Sequence, residues 1–169
     1  VGDLCFSALE WALALIVQRH DSLRTTFRMI DGEPAQIIAT FEGFTLPVVD
    51  LSDRPRGGRE AELRHLLAVD QRLAFDLARG PLFRARLIRL DQQTHVLSCN
   101  QHHVISDGWS LGVFCQELAC HYNAFKNAEA SPLPPLAVQY ADYAVWQREW
   151  LEGEVLDGHA RYWLPQLAG

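Results

Sequence analysis

The sequence lacks a long apolar run of the kind that crosses a membrane. None of its apolar stretches approaches the roughly 20 consecutive residues that a spanning helix needs. The residues after Val1 contain no basic segment leading into an apolar stretch with a cleavage site, as a secretory signal does. We therefore expect a cytoplasmic protein without a membrane partner.

Basic residues are also few. The chain has 15 Lys and Arg against 21 Asp and Glu, which gives a formal net charge of −6. Because a nucleic-acid interface needs a concentrated basic face to neutralise phosphates, we expect no nucleic-acid partner. Arginines do cluster in residues 54–64, at Arg54, Arg56, Arg59 and Arg64. We interpret this cluster as a solvated surface, with the docking of an acidic partner as the alternative.

The cysteines lack the spacing of a zinc site or a redox motif; they are Cys5, Cys99, Cys115 and Cys120. Cys115 and Cys120 are five residues apart in a predicted helix, about 140° around its axis, so they cannot form a disulfide with each other. We expect free thiols. The sequence also contains no Gly-x-Ser-x-Gly elbow, Walker loop or dinucleotide fingerprint, which argues against a serine hydrolase and a nucleotide-binding enzyme.

The apolar pattern predicts strands interleaved with helices. Helical spacing predicts helices over residues 7–20, 60–74, 111–125, 140–150 and 159–167, and alternation predicts hairpins over residues 25–38 and 83–99. Ser7 is the expected cap of the first helix, residues 52–58 are an expected loop, and the proline-rich residues 127–137 are an expected linker. This order predicts an α/β domain with α+β layering.

Residues 100–110 are the stretch best suited to chemistry. An apolar run ends at His102 and His103, and Asp107 and Gly108 then open the third helix, which predicts a strand, a tight turn and a helix. A neutral imidazole can take a proton from an amine or hydroxyl at cytosolic pH. His103, which is nearer the turn, is a better candidate for this role than His102. A structural histidine pair is an equally open alternative.

A metal site is a third possibility for the same stretch. His102, His103 and Asp107 offer nitrogen and oxygen donors within one turn. A catalytic metal needs three protein ligands, and the other histidines are scattered among predicted helices and strands. We therefore expect no metal.

Several motifs resemble one known family. Residues 102–110 (HHVISDGWS) resemble the His-His-x-x-x-Asp-Gly core of the condensation domains of nonribosomal peptide synthetases. Residues 19–27 (RHDSLRTTF) resemble the family's Arg-His-Glu-x-Leu-Arg-Thr-x-Phe motif, with Asp21 in place of the glutamate. Residues 140–146 (YADYAVW) resemble its Tyr-x-Asp-Tyr-Ala-x-Trp motif, and residues 75–82 (FDLARGPL) contain two further familiar triplets.

The resemblance implies a fold and a domain boundary. It implies a chloramphenicol acetyltransferase-like lobe, in which helices pack on a mixed sheet. Residues 1–169 are expected to be the N-terminal lobe of a condensation domain. The family's opening motif upstream of Val1 and its C-terminal lobe are absent from the chain, so we expect the isolated chain to be inactive.

The resemblance also implies a function. It implies amide formation between aminoacyl or peptidyl thioesters held on donor and acceptor peptidyl carrier proteins. The carriers' phosphopantetheine arms would bring the substrates, no cofactor would bind the lobe itself, and an adenylation domain would be a neighbour. The alternatives are a non-catalytic module that docks or recruits carriers, or a related acyltransferase that epimerises, cyclises or forms esters.

The family's functional residues can be matched by position. His103 matches the histidine that deprotonates or positions the acceptor amine, and His102 matches the structural histidine. Asp107 matches the aspartate that orders the loop, and we expect it to form a salt bridge with Arg24, or otherwise with Arg19.

The neighbouring residues receive weaker assignments. Gly108 suits a position where a side chain would crowd the substrate or where φ is positive. Trp109 and Ser110 are candidate residues of the substrate channel. The aromatic side chains of residues 140–146 are at helical spacing, which favours a place in the core over substrate contact.

Overall fold

The structure, a computed structural model, describes residues 2–168 and contains five helices and five strands in that range. In chain order they are α1 (Phe6–Arg19), a 3₁₀ turn (Asp21–Arg24), β1 (Thr25–Ile30), β2 (Glu33–Ile38), β3 (Val48–Asp50), α2 (Arg56–Arg72), β4 (Phe83–Arg89), β5 (His95–Gln101), α3 (Gly108–Lys126), α4 (Tyr140–Trp150) and α5 (Gly153–Leu167). The chain divides into two compact units, one ending at Pro135 and one beginning at Leu136.

Helix α1 supplies much of the core of the first unit. Its residues at helical spacing are buried, as the sequence predicts: Leu9, Leu13, Ile16 and Val17. They pack in one cluster with Phe83 and Leu87 of β4 and Phe114 of α3. The predicted cap is wrong, because Ser7 lies inside the helix and Cys5 occupies the N-cap position without a side-chain hydrogen bond.

Strands β1 and β2 form the predicted hairpin. They pair antiparallel in a two-stranded sheet, with Thr25 opposite Ile38 and Ile30 opposite Glu33. Asp31 and Gly32 both have positive φ, 51° and 86°. Two consecutive residues in this region make the tight turn whose twist matches the twist of the flanking strands.

The second sheet is mixed, and its last strand ends just before the two histidines. Its order is β3-β4-β5, with β3 parallel to β4 and β4 antiparallel to β5. The predicted α/β fold with helices and a mixed sheet is confirmed. Strand β5 ends at Gln101, opposite Phe83, so the chain leaves the sheet at His102.

Helix α2 differs from its prediction at both its start and its buried face. It begins at Arg56, inside the predicted loop. Among the residues of α2, all of which the structure describes, Asp70 alone is buried, while the apolar Val69 is exposed. Asp70 forms an ion pair with Arg86 of β4 at 3.2 Å. A buried carboxylate requires a cation, so this pair adds a polar contact with β4 to the half-buried apolar face of the helix.

The second unit consists of α4 and α5. Successive rings contact one another along α4 from Tyr140 through Tyr143 and Trp146 to Trp150, with centroids 5.6–5.8 Å apart; the first two pairs are tilted and the last is stacked. These four side chains are 41–59% exposed, so the expectation that the aromatics of residues 140–146 form a core is wrong. Neither helix of this unit, as far as Leu167, has a buried residue, because two helices alone enclose little volume.

The structure also shows the state of the cysteines and the lengths of the apolar helices. The four cysteines are free, and burial raises the pKa of Cys99 to about 12. Within residues 2–168, no helix is both long enough and apolar enough to cross a bilayer.

Candidate active site

The loop between β5 and α3 holds the two histidines. At its start, the His102 N–H donates to the Leu82 carbonyl at 3.0 Å, which extends the β4–β5 pairing by one bond. Within the loop, the Ile105 N–H donates to the His102 carbonyl at 3.0 Å. At its end, Asp107 is the N-cap of α3. The loop is therefore tied to the sheet at one end and to a helix at the other.

The Asp107 side chain caps α3 through Ser110. Its Oδ1 accepts hydrogen bonds from the Ser110 N–H at 2.8 Å and from the Ser110 hydroxyl at 2.6 Å, and the Ser110 Oγ accepts from the Asp107 N–H at 3.3 Å. This reciprocal arrangement is a capping box. The hydrogen bonds from the Ser110 side chain and backbone lower the pKa of the Asp107 carboxyl. The cap also fixes where the loop ends.

The predicted salt bridge of Asp107 is wrong. Arg24 Nε donates to the Val17 carbonyl at 3.1 Å, and its guanidinium also bonds Asp21 and the Ala39 carbonyl. Within the described part of the chain, Asp107 forms no ion pair. Because Asp107 is exposed, water and the helix N-terminus stabilise its charge without a cation. Arg24 instead joins the end of α1 to the chain beyond β2.

This difference predicts the outcome of two substitutions at Asp107. Asp107→Ala removes the cap and should lower the Tm of the 169-residue chain by about 2–4 °C. Asp107→Asn should lower it far less, because an asparagine oxygen can accept the same two hydrogen bonds. Thermal unfolding followed by circular dichroism measures both. If the negative charge were the important property, Asn would be as damaging as Ala.

The second histidine presents a free basic nitrogen. His103 Nδ1 lies 3.1 Å from the Ser106 carbonyl oxygen. A carbonyl oxygen can only accept, so Nδ1 carries the proton in this hydrogen bond and the neutral ring has its lone pair on Nε2. The side chain is exposed. His103 therefore holds an oriented imidazole that can accept a proton at Nε2.

The first histidine is held in the opposite tautomer. His102 Nδ1 accepts the Val104 N–H at 3.0 Å, which places the proton of the neutral ring on Nε2. Its ring packs edge-on against Phe75, with centroids 5.8 Å apart, and Arg84 lies 3.8 Å from the centre of the Phe75 ring. The Phe75 motif and the histidine motif thus meet in space. His102 is a structural element of the loop.

The three residues after Asp107 are placed differently from one another. Gly108 does not have positive φ, so that expected reason for this glycine is wrong, and a Cβ at this position would meet no described atom within 4 Å. That a side chain here would crowd the substrate stays a prediction. Trp109 is 84% exposed. Ser110 forms the cap. No contact of Trp109 or Ser110 with the described residues identifies a substrate channel, and their assignment to one stays a prediction.

Sequence reasoning missed two buried polar residues on α3. Glu117 Oε1 accepts from Arg19 Nε at 3.0 Å, and Oε2 lies 2.7 Å from His20 Nε2. His121 lies one turn further along, with Nδ1 3.1 Å from the Ser131 hydroxyl. Burial lowers the pKa of His121. The sequence does contain a signal, because polar residues at positions i and i+4 interrupt the apolar face of the helix.

The histidines do not converge with other metal-binding side chains. Across residues 2–168, no three His, Cys, Asp or Glu side chains are grouped so that they could hold a metal ion. His103 Nδ1 is bonded to a carbonyl, and the Asp107 carboxylate is turned toward Ser110.

Comparison with known proteins identifies the family. The condensation domain family model matches residues 1–169. This chain belongs to the condensation domain family. The motif resemblance is thereby confirmed at the level of the family.

Individual relatives of this condensation-family chain agree with that assignment. It is 48% identical over 168 residues to one of the linear gramicidin synthase proteins of Brevibacillus parabrevis, covering 99% of the chain and 2% of that protein. It also resembles the X-domain from teicoplanin biosynthesis, solved in complex with OxyB, with a TM-score of 0.85 and 34% identity over 99% of this chain and 36% of that one. The starter condensation domain of rhizomide synthetase has a TM-score of 0.86 at 21% identity, over 99% and 40% of the two chains, and shows the shared fold.

Proposed function

We propose that residues 1–169 form the N-terminal lobe of a condensation domain that joins two carrier-bound substrates through an amide bond. The observation that carries the proposal is His103, which is exposed and holds Nε2 free while Nδ1 donates to the Ser106 carbonyl. Family membership and the synthetase names of the relatives support it. The chain spans 2–3% of the length of those relatives, so the rest of the active site belongs to other parts of a larger protein.

In the proposed reaction, His103 handles the proton of the attacking amine. The acceptor amine attacks the thioester carbonyl of the donor, and His103 Nε2 receives the proton that the nitrogen loses. A C–N bond forms, the C–S bond breaks, and the proton then passes from Nε2 to the departing thiolate. The Ser106 carbonyl stabilises the imidazolium through Nδ1–H during this sequence.

The partners follow from the same proposal. Donor and acceptor carrier proteins present their thioesters on phosphopantetheine arms, an adenylation domain precedes or follows in the parent, and a second lobe completes the site. The shares of the solved relatives that this chain covers, 36% and 40%, support a second lobe. The unit boundary after Pro135 supports the linker at residues 127–137. The cytoplasmic location stays a prediction.

A second candidate is a recruitment module that binds a partner without catalysis. The similar X-domain from teicoplanin biosynthesis was solved in complex with OxyB, which is an observation in favour of this candidate. Against it stands the ordered histidine loop of this chain, since a module without a reaction has no need to hold His103 Nε2 free.

An assay on the full-length parent protein distinguishes the candidates. Donor and acceptor carriers are loaded with aminoacyl thioesters and mixed with the parent, and the acceptor-bound product is measured by mass spectrometry. An acceptor carrier bearing both residues supports amide formation. Carriers that bind without any transfer would support recruitment, and an epimerised, cyclised or ester product would identify one of the related reactions instead.

A further inference from the structure

A partly buried ionic cluster joins the end of α1 to the middle of α3. We name it the Glu117 clamp, and it consists of Arg19, His20 and Glu117. Each oxygen of the Glu117 carboxylate has its own partner, Arg19 Nε at 3.0 Å and His20 Nε2 at 2.7 Å. The three side chains are only 10–23% exposed. Two hydrogen bonds from different residues hold the carboxylate in one orientation, and low exposure strengthens them.

The Glu117 clamp adds directional hydrogen bonds to the interface between α1 and α3, which is otherwise apolar. Helices α1 and α3 pack through one hydrophobic cluster that includes Leu13, Ile16 and Phe114, with Leu118 against it. Hydrophobic contact is non-directional, so it brings two helices together without selecting one rotation. Hydrogen bonds to two oxygens require a particular rotation and axial position of α3. The clamp therefore determines how α3 sits on α1.

The position of α3 affects the orientation of His103 through the Asp107 cap. Glu117 lies nine residues beyond Gly108, the first residue of α3, which is about 13 Å along the helix. The N-terminus of α3 is bonded to Asp107, and the preceding residue, Ser106, holds the His103 ring through its carbonyl. A rotation or shift of α3 would thus move the hydrogen bond that orients His103.

We infer that Glu117 is a positioning residue for His103, acting through α3 and its cap. This inference rests on the proposed amide-forming function. It also reassigns a role predicted from the sequence. The family resemblance predicts that the motif at residues 19–27 holds the histidine loop through a bond from an arginine to Asp107. In the structure, Arg19 and His20 hold the helix behind that loop through Glu117.

The decisive variant is Glu117→Gln in the full-length parent, assayed with carrier-bound thioesters. Glutamine keeps the size of the side chain but has one acceptor oxygen in place of two and no charge, so the two charge-assisted hydrogen bonds of the carboxylate are lost or weakened. We expect kcat to fall by about 10- to 100-fold, because a small displacement of a reacting group has effects of this order. The KM for each carrier should stay unchanged. The matched control is Glu129→Gln, the same change at an exposed residue after α3, which should retain the wild-type kcat.

A second measurement separates positioning from general structural damage. In the His103→Ala background, Glu117→Gln should lower the residual rate no further, because its effect passes through the missing imidazole. A general loss of folded protein would lower the residual rate by the same factor as in the wild-type background, and that result would overturn the inference.

The possible failures are distinguishable. If the wild-type parent forms no amide, the proposed function fails. If the wild type is active and Glu117→Gln keeps its kcat, or changes only the KM of a carrier, the positioning inference is overturned. Should Glu117→Gln fail to fold, Arg19→Lys replaces it, since lysine keeps the charge and loses the Nε bond. The same fall in kcat is expected there, and a wild-type kcat would contradict the inference.

Discussion

Replacing His103 with alanine in the full-length parent should lower the rate of amide formation by about 10²- to 10⁴-fold. The physical reason is the loss of the one imidazole in the loop whose Nε2 is free to receive the proton of the amine. Single-turnover reactions between loaded carriers, with the acceptor-bound product quantified by mass spectrometry, measure the rate directly.

The matched control is His65→Ala, an exposed histidine on α2. This variant should react at the wild-type rate. The His103→Ala protein should keep its fold, because the His103 side chain is exposed and its ring hydrogen bond goes to a carbonyl that water can also reach. Retained turnover in His103→Ala, with circular dichroism unchanged, would remove His103 from the reaction.

Leu13→Ala should cost about 3 kcal/mol of the free energy of unfolding. Leu13 has 0% exposure and lies in the cluster between α1, β4 and α3. Truncation to alanine removes buried methyl and methine groups and leaves a cavity that close-packed neighbours can fill only in part. Urea unfolding of the 169-residue chain followed by tryptophan fluorescence measures the change.

Leu111→Ala provides the comparison for this prediction. Leu111 is 55% exposed although the sequence places it on the same apolar face as Phe114, so its truncation should change the unfolding free energy by no more than about 0.5 kcal/mol. Equal destabilisation by the two substitutions would show that the cluster around Leu13 is not the core that stabilises the fold.

The histidine loop illustrates what could be predicted for the candidate site. The sequence predicts the strand, the turn and the helix around residues 100–110, and it also predicts that Asp107 braces the turn; the structure contains all of these. The predicted partner of Asp107 is wrong. Its actual partner, Ser110, is only three residues away, whereas the arginine inferred from the family resemblance is occupied by carbonyls near the end of α1.

The helices also show which features of the fold the sequence could predict and which it could not. The buried face of α1 is the face that its apolar spacing predicts, because its four large apolar residues all lie on that face. On α2 and α3 the buried faces include Asp70, Glu117 and His121, which apolar spacing cannot anticipate. The burial of the two carboxylates depends on Arg86, Arg19 and His20, each supplied by a distant element.

The sequence by itself determined the local structure of this protein and its family. The Asp31-Gly32 turn, the strand that ends before His102 and the cap from Asp107 to Ser110 depend on residues within a few positions of one another, so the local sequence specifies them. Only the tertiary structure decided which partners the buried carboxylates Asp70 and Glu117 pair with. Arg19 and Glu117 are 98 positions apart, and they can meet only because the fold brings α1 and α3 together. Hydrophobic packing brings such residues together, and the cost of burying a charge then requires that they pair.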